Sequence, residues 1–207
     1  MRYELLRIGK AIISDLCLGT ANGKQGTQIT ATPDEFNNGL DNSVQAAKVT
    51  VGAGIGSSRV QTSVIRTGDI IKTTIAINLV GLASTATNKD IIGLAAGGAA
   101  PIAQITTAVN GVIHKAEVNC AVVPTTGDDD IDIYQASVGT GAYDTDASSL
   151  TNAAVLVTSG GAYAIGTAKP FTALPTADYY LYLATGDTTA GTYDAGKILI
   201  ELWGTAA

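Results

Sequence analysis

The sequence predicts an all-β fold, a jelly-roll or Greek-key β-sandwich with an extended N-terminal arm or small subdomain. Three observations predict it. Short apolar segments with period-two alternation recur along the 207 residues, with turn residues between them at spacings of about 8–12. Almost no stretch carries the 3.6-residue apolar period of a helix. Long connections alternate with tight turn signals, which favours Greek-key wiring over a simple meander. The division expected is 1–58 for the arm and 59–207 for the sandwich body.

Taken in order, Met1–Leu18 places Leu5, Ile8, Ile12 and Leu16 near helical spacing, while Gly9 weakens a helix, so helical and extended readings both stand. Gly19–Asn42 is rich in Gly, Asn, Thr and Pro and reads as loop, with one short strand at Gln28–Ala31. So long an irregular segment suggests a contact role. Ala46–Val51 reads as a strand. The glycine run after it lacks the third glycine of a dinucleotide loop, where Ser57 stands, and has no P-loop Lys-Ser/Thr. It is expected to be a flexible linker.

The body strands follow. Arg59–Arg66 and Asp69–Leu82 come first. In the second, Ile71, Thr73, Ile75, Ile77 and Leu79 share the face expected to be buried. Asp90–Leu94 is a short strand. Pro101–Val109 and Val112–Val123 flank Asn110-Gly111, the residue pair of a two-residue hairpin turn. Ile131–Ala136, Ala153–Thr158 and Ala162–Ile165 complete the middle of the chain. Ala177–Gly204 reads as a closing hairpin. Its strands are Tyr179–Ala184 and Lys197–Trp203, and Gly186–Gly196 is the exposed tip between them. Ile198, Ile200 and Leu202 share the buried face, while Tyr180, Tyr182 and Trp203 are candidates for a subunit contact on the second face.

Charged residues make up only 14% of the chain, and the net charge is −6. The low charge density and the abundance of Thr, Ser and Asn suit a repetitive assembly or an extracellular particle. The net sign argues against general nucleic-acid binding. The charge is uneven: eight Lys/Arg and six Asp/Glu through Lys72, four and twelve thereafter. No 18-residue apolar run or signal peptide is evident, so no membrane role is expected and exit by lysis would need no cleaved leader. Cys17 and Cys120 match no metal or redox spacing. Buried thiols are expected, with a long-range disulfide left open.

Candidate chemistry is sparse. His114, the only histidine, sits in a strand without a nucleophile motif, and one histidine cannot build a cupin-type metal site. The acidic run offers Asp128, Asp130 and Asp132 as a calcium candidate, since they match the opening of an EF-hand loop, with Asp144 and Asp146 able to join. Ile133 and Gly139 break the rest of that pattern. A solvated acidic loop is the alternative. No catalytic residue and no cofactor are expected. Two converging carboxylates of a glycosidase would need an aromatic cleft, and one Trp with scattered Tyr does not supply it.

GDIIKTTIAINLVGL (Gly68–Leu82), DIDIYQA (Asp130–Ala136) and ADYYLYLATGDTTAGTYDAGKILIELWG (Ala177–Gly204) resemble small jelly-roll proteins encoded beside the capsid genes of tailed bacteriophages, marine ones especially. Those proteins are regarded as head decoration, or cement, proteins. The resemblance runs from Gly68 to the C-terminus and carries no site motif. It implies a virion structural protein on the capsid exterior, a homotrimer bound to the major capsid protein between capsomers. A phage fibre, receptor-binding or glycan-binding module is the alternative.

Overall fold

The computed structural model describes residues 51–206, together with the backbone of three two-residue strands further upstream. The chain divides into Met1–Ser43 and Val44–Ala207. In the first unit, β1 (Leu16–Cys17) pairs antiparallel with β2 (Gln28–Ile29), within the strand expected at 28–31. The remaining expectations for 1–50, helical or extended, lie outside the described residues.

The second unit is a two-sheet sandwich. Its larger sheet contains β3 (Val44–Gln45), β4 (Val60–Thr67), β5 (Ile70–Asn78), β8 (Val112–Thr125), β11 (Ala168–Pro170) and β14 (Ala195–Thr205), in the order β11-β8-β14-β5-β4-β3. The smaller contains β7 (Ala103–Gln104), β9 (Ile131–Ala136), β10 (Ala154–Val157) and β12 (Tyr180–Thr185), in the order β10-β9-β12-β7. A minor pair joins β6 (Ala83–Ser84) to β13 (Gly191–Thr192).

Setting aside that minor pair, the chain from β5 onward pairs first with last. β5 pairs with β14, β7 with β12, β8 with β11 and β9 with β10, all antiparallel. An antiparallel ribbon of eight strands, folded over so that its pairs lie in alternate sheets, is a jelly roll. The expected fold class therefore holds.

The alternation of apolar residues explains the packing. On β14, Ile198, Ile200 and Leu202 are fully buried. They sit opposite Ile77, Ile75 and Thr73 on one side and Cys120, Val118 and Ala116 on the other. From the smaller sheet, Ile131, Ile133, Leu181 and Leu183 join the same cluster. Thr73 is the one polar member of its strand's buried face, and Asn110 Nδ2 donates to its hydroxyl at 3.0 Å.

Several local expectations are corrected. Tyr180–Thr185 and Ala195–Thr205 are both strands, but they lie in different sheets and do not pair with each other. Turn chemistry between them serves a crossing from sheet to sheet. Of the expected tip, Asp187–Ala190, Thr192 and Asp194 are exposed, while Tyr193 and Gly196 are buried. Asn110-Gly111 likewise forms no hairpin. Thr106 caps a single helical turn, Thr107–Asn110, accepting from the Val109 N–H, and Gly111 closes it at φ 70°. Asn and Gly supply a helix C-terminus as readily as a hairpin turn. The strand expected at 162–165 is absent. Its neighbour Ala168–Pro170 pairs with β8 instead.

The expected linker is packed into the body. Gly52 N–H donates to Pro101 O at 2.8 Å, Gly54 N–H to Ala99 O at 2.7 Å, and Leu94 N–H to Gly54 O at 2.7 Å. Ile55 is fully buried in the core. The glycines let two backbones approach where any Cβ would collide with a carbonyl. The arm–body boundary expected at 58 thus falls earlier, between Ser43 and Val44. Chains beginning at 44 and at 57 provide the check. Urea unfolding of the 57–207 chain should show a loss of at least about 2 kcal/mol relative to 44–207, from Ile55 burial alone.

Candidate functional site

Two regions drew the sequence-based candidates, the acidic run and the second faces of the two closing strands. The acidic run follows the end of β8 and enters β9. Asp128 is fully buried. Its carboxylate accepts from the backbone N–H groups of Asp130 and Asp187, each at 3.0 Å, so it ties the two loops together. Its own N–H donates to Ser84 Oγ, and its carbonyl accepts from the Tyr193 hydroxyl at 2.7 Å. Burial raises the pKa of Asp128 above the ordinary carboxylate value, against those two N–H donors.

Asp132 is also buried, but its carboxylate accepts from the Ser159 N–H at 2.8 Å. Burial is the main cause that pushes its pKa up to about 6, and the charges of Asp130 and Asp128 add to it. Asp130 Oδ1 is buried and meets no hydrogen-bond donor among the described residues. Among those residues no group of three His, Cys, Asp or Glu side chains has the arrangement to hold a metal ion. The calcium candidate Asp128, Asp130 and Asp132 is thereby corrected: Asp128 and Asp132 serve backbone N–H groups of different loops.

One constellation has no sequence signature. Lys169 on β11 reaches back ten residues to the Ser159-Gly160-Gly161 turn. Its ammonium donates to Ser159 O at 2.8 Å, to Ser159 Oγ, and to Gly161 O at 3.0 Å. Its Nζ also lies 4.3 Å from the centre of the Tyr163 ring. Serine beside lysine is the pairing of a Ser–Lys nucleophile. Here every ammonium proton has an acceptor and the Ser159 hydroxyl itself donates to Gly161 O at 2.6 Å, so the pair fastens a turn. Only the pairing of β11 with β8 brings Lys169 there.

The second faces of the closing strands differ from each other. Tyr182 is fully buried, and its hydroxyl donates to Val138 O at 2.6 Å and accepts from the Gly141 N–H. The loop after β9 lies over this side of the smaller sheet, and Gly141 lets it come within van der Waals contact of the Tyr182 ring. Tyr182 is therefore a core residue, which corrects its place among the contact candidates. Tyr180, half-buried, packs its ring against Gly139 of the same loop.

The larger sheet keeps its outer face open at Trp203. The β14 register sets Trp203 between Lys72 on β5 and Lys115 on β8. Their ammonium groups lie 5.1 and 4.0 Å from the indole centre. Each lysine also pairs with a carboxylate one row away, Lys72 with Glu201 at 2.6 Å and Lys115 with Glu117 at 3.1 Å. The indole is held by this frame. Beyond it lie Ile65, Ile70 and Val112, exposed at 41%, 46% and 58%. Ile65 is opposite Lys72, and Ile70 and Val112 are opposite Thr205. His114, on the same edge, has its ring Nδ1 3.3 Å from Thr205 Oγ1.

Cys120 is a buried free thiol in the core, its pKa raised by burial. The side chain of Cys17 lies outside the described residues. No family model matches this chain, and neither the curated proteins nor the solved structures contain a match.

Two outcomes test the acidic region. Because burial pushes the Asp132 pKa up to about 6, above the ordinary 3.8 of a free aspartate, the folded state holds this proton more tightly than the unfolded chain. Its contribution to stability should fall as pH rises from about 4 to 7, by on the order of 2 kcal/mol after allowance for solvent screening. Urea denaturation at pH 5 and pH 7 should show Asp132→Asn flattening that slope, with the Ser159 N–H still accepted by the amide oxygen. Calorimetry of the full chain should give the same melting temperature with calcium as with a chelator; a rise of several degrees with calcium would show that the carboxylates converge on an ion.

Proposed function

We propose that this protein is a virion structural protein, which decorates the outer surface of a tailed-phage capsid and stabilises it by binding between capsomers. The observation that carries the reading is the outer face of the larger sheet around Trp203. It combines a braced aromatic ring with three exposed aliphatic side chains, Ile65, Ile70 and Val112, at one end of the sheet. Such a mix of an apolar centre and a polar rim suits protein contact. The resemblance of Gly68–Leu82, Asp130–Ala136 and Ala177–Gly204 to head decoration proteins supports the same reading, as does the jelly-roll wiring.

In this reading the partner is the major capsid protein, and the protein acts as a homo-oligomer, a trimer. Each contact need only be modest, because an icosahedral shell repeats it many times and linked sites bind with an effective concentration far above that in solution. The Trp203 face is the surface assigned to contact. Tyr180 at the rim of the smaller sheet is a secondary one.

Copy number on purified particles provides the test. Hundreds of copies on the head are expected. A dozen at the tail would favour the fibre or glycan-binding module instead, and absence from particles would overturn both. Replacing Trp203 with alanine should weaken binding to empty shells by about tenfold or more, as loss of a central aromatic anchor does, while the circular dichroism of the β-sandwich stays unchanged.

A further inference from the structure

About 20 Å along β14 from Trp203, the outer face of the larger sheet ends in a small cavity. It measures about 80 Å3 and is lined by Ser58, Arg59, Gln61, Ala76, Asn78 and Lys197. Strand register creates it. Ala76 lies between Gln61 on β4 and Leu199 on β14, and Asn78 lies beside Lys197. A methyl group therefore forms the floor where neighbouring positions carry longer side chains.

Arg59 is held in place at the cavity wall. Its Nε donates to Val80 O at 2.9 Å. Its terminal nitrogens lie against Gly56 and Gly81, where an added Cβ would come within 3.1 and 2.9 Å of them. Both glycines have positive φ, 82° and 81°, so the two turns that flank the guanidinium depend on them. Asn78 Oδ1 accepts from the Val80 N–H, which leaves its amide hydrogens as donors.

The electrostatics point the same way. Residues 51–206 carry seven Lys/Arg against thirteen Asp/Glu. Two of those seven cations line this one cavity with no carboxylate among its walls. Among the described residues neither forms an ion pair, whereas Lys72 and Lys115 both do. A guanidinium fixed through its Nε still offers terminal N–H groups to an oxyanion, and a lysine adds a mobile point charge.

We propose that this cavity binds a small oxyanion, a carboxylate or phosphate group, held by Arg59 and Lys197 with Ser58, Gln61 and Asn78 as hydrogen-bond donors. The volume admits one such group. The site does not depend on the capsid reading, since the same group could be borne by a partner's side chain or by a free solute.

The test is amide and side-chain NMR of the full chain, titrated with inorganic phosphate in one arm and with acetate in the other, at ionic strength held constant with sodium chloride. At least one anion should give saturable shifts at millimolar concentration, confined to Ser58, Gln61, Asn78, Lys197 and the Arg59 Nε–H. Saturation by phosphate alone would identify a phosphate site, and saturation by acetate alone a carboxylate site. Lys197→Gln, on an exposed side chain, should weaken binding at least threefold. Arg59→Gln should weaken it further, although it also loses the Val80 bond. Lys72→Gln makes the same charge change on the same sheet and should leave binding unchanged. Shifts that fail to saturate or scatter over the surface would overturn the proposal. So would wild-type affinity in Lys197→Gln, or an equal loss in Lys72→Gln.

Discussion

Strand β14 is hydrogen-bonded along both edges, to β5 over nine residue pairs from Lys197 to Thr205 and to β8 over nearly the same length. Its alternation then has to agree with both neighbours at once. A slip of one residue would turn Ile198, Ile200 and Leu202 out to solvent and bring Lys197, Glu201 and Trp203 into the core. The rest of the sandwich follows from that register. It sets which face of β5 and β8 turns inward, and it aligns Trp203 with the lysines on either side. It also places Lys197 beside Asn78 at the cavity.

The two sheets treat their outer faces differently, and the difference decides where interaction can occur. The central strands of the smaller sheet, β9 and β12, are buried on both sides. Every residue of β9 is buried, and only Tyr180 of β12 is partly exposed. Loops cover it, and polar groups beneath them are satisfied locally: Tyr182 by Val138 and Gly141, Asp132 by Ser159, Asp128 by Asp130 and Asp187. Buried carboxylates kept in this way cost stability at neutral pH but join loops that have little apolar surface of their own. The larger sheet has a mixed polar and aromatic outer face, with Ile65, Ile70 and Val112 exposed at the Trp203 end and Val122 exposed near Lys197. A protein that works by surface contact needs one such face, and the proposed assignment to a capsid exterior uses it.

Much of the fold was legible in the residues because strand alternation is a local property. Ile71, Thr73, Ile75 and Ile77 on one strand and Ile198, Ile200 and Leu202 on another announce their buried faces through period two alone. The Ile131–Ala136 strand matches its observed bounds, and Trp203 falls on the outer face as its parity requires. Candidate sites were less legible. Asp128 and Asp132 are close in sequence, yet Asp128 in the turn before β9 and Asp132 on β9 itself serve different loops. Lys169 and Ser159 meet only through the β11–β8 ladder, and Arg59 and Lys197 only through β4, β5 and β14 lying side by side.

Sequence alone determined the all-β class and the faces of the strongest strands, since both depend on residue type and short-range spacing. Three-dimensional packing settled which strands are neighbours. Tyr180–Thr185 and Ala195–Thr205 are separated by a turn-rich segment, which would serve a hairpin or a crossing equally well. The choice rests on long-range burial: each strand gains two hydrogen-bonded partners in its own sheet, and the apolar faces of the sheets then close on each other. The same burial drew the Gly52–Ile55 segment into the body and covered Tyr182, because loop placement over a sheet depends on contacts far apart in the chain.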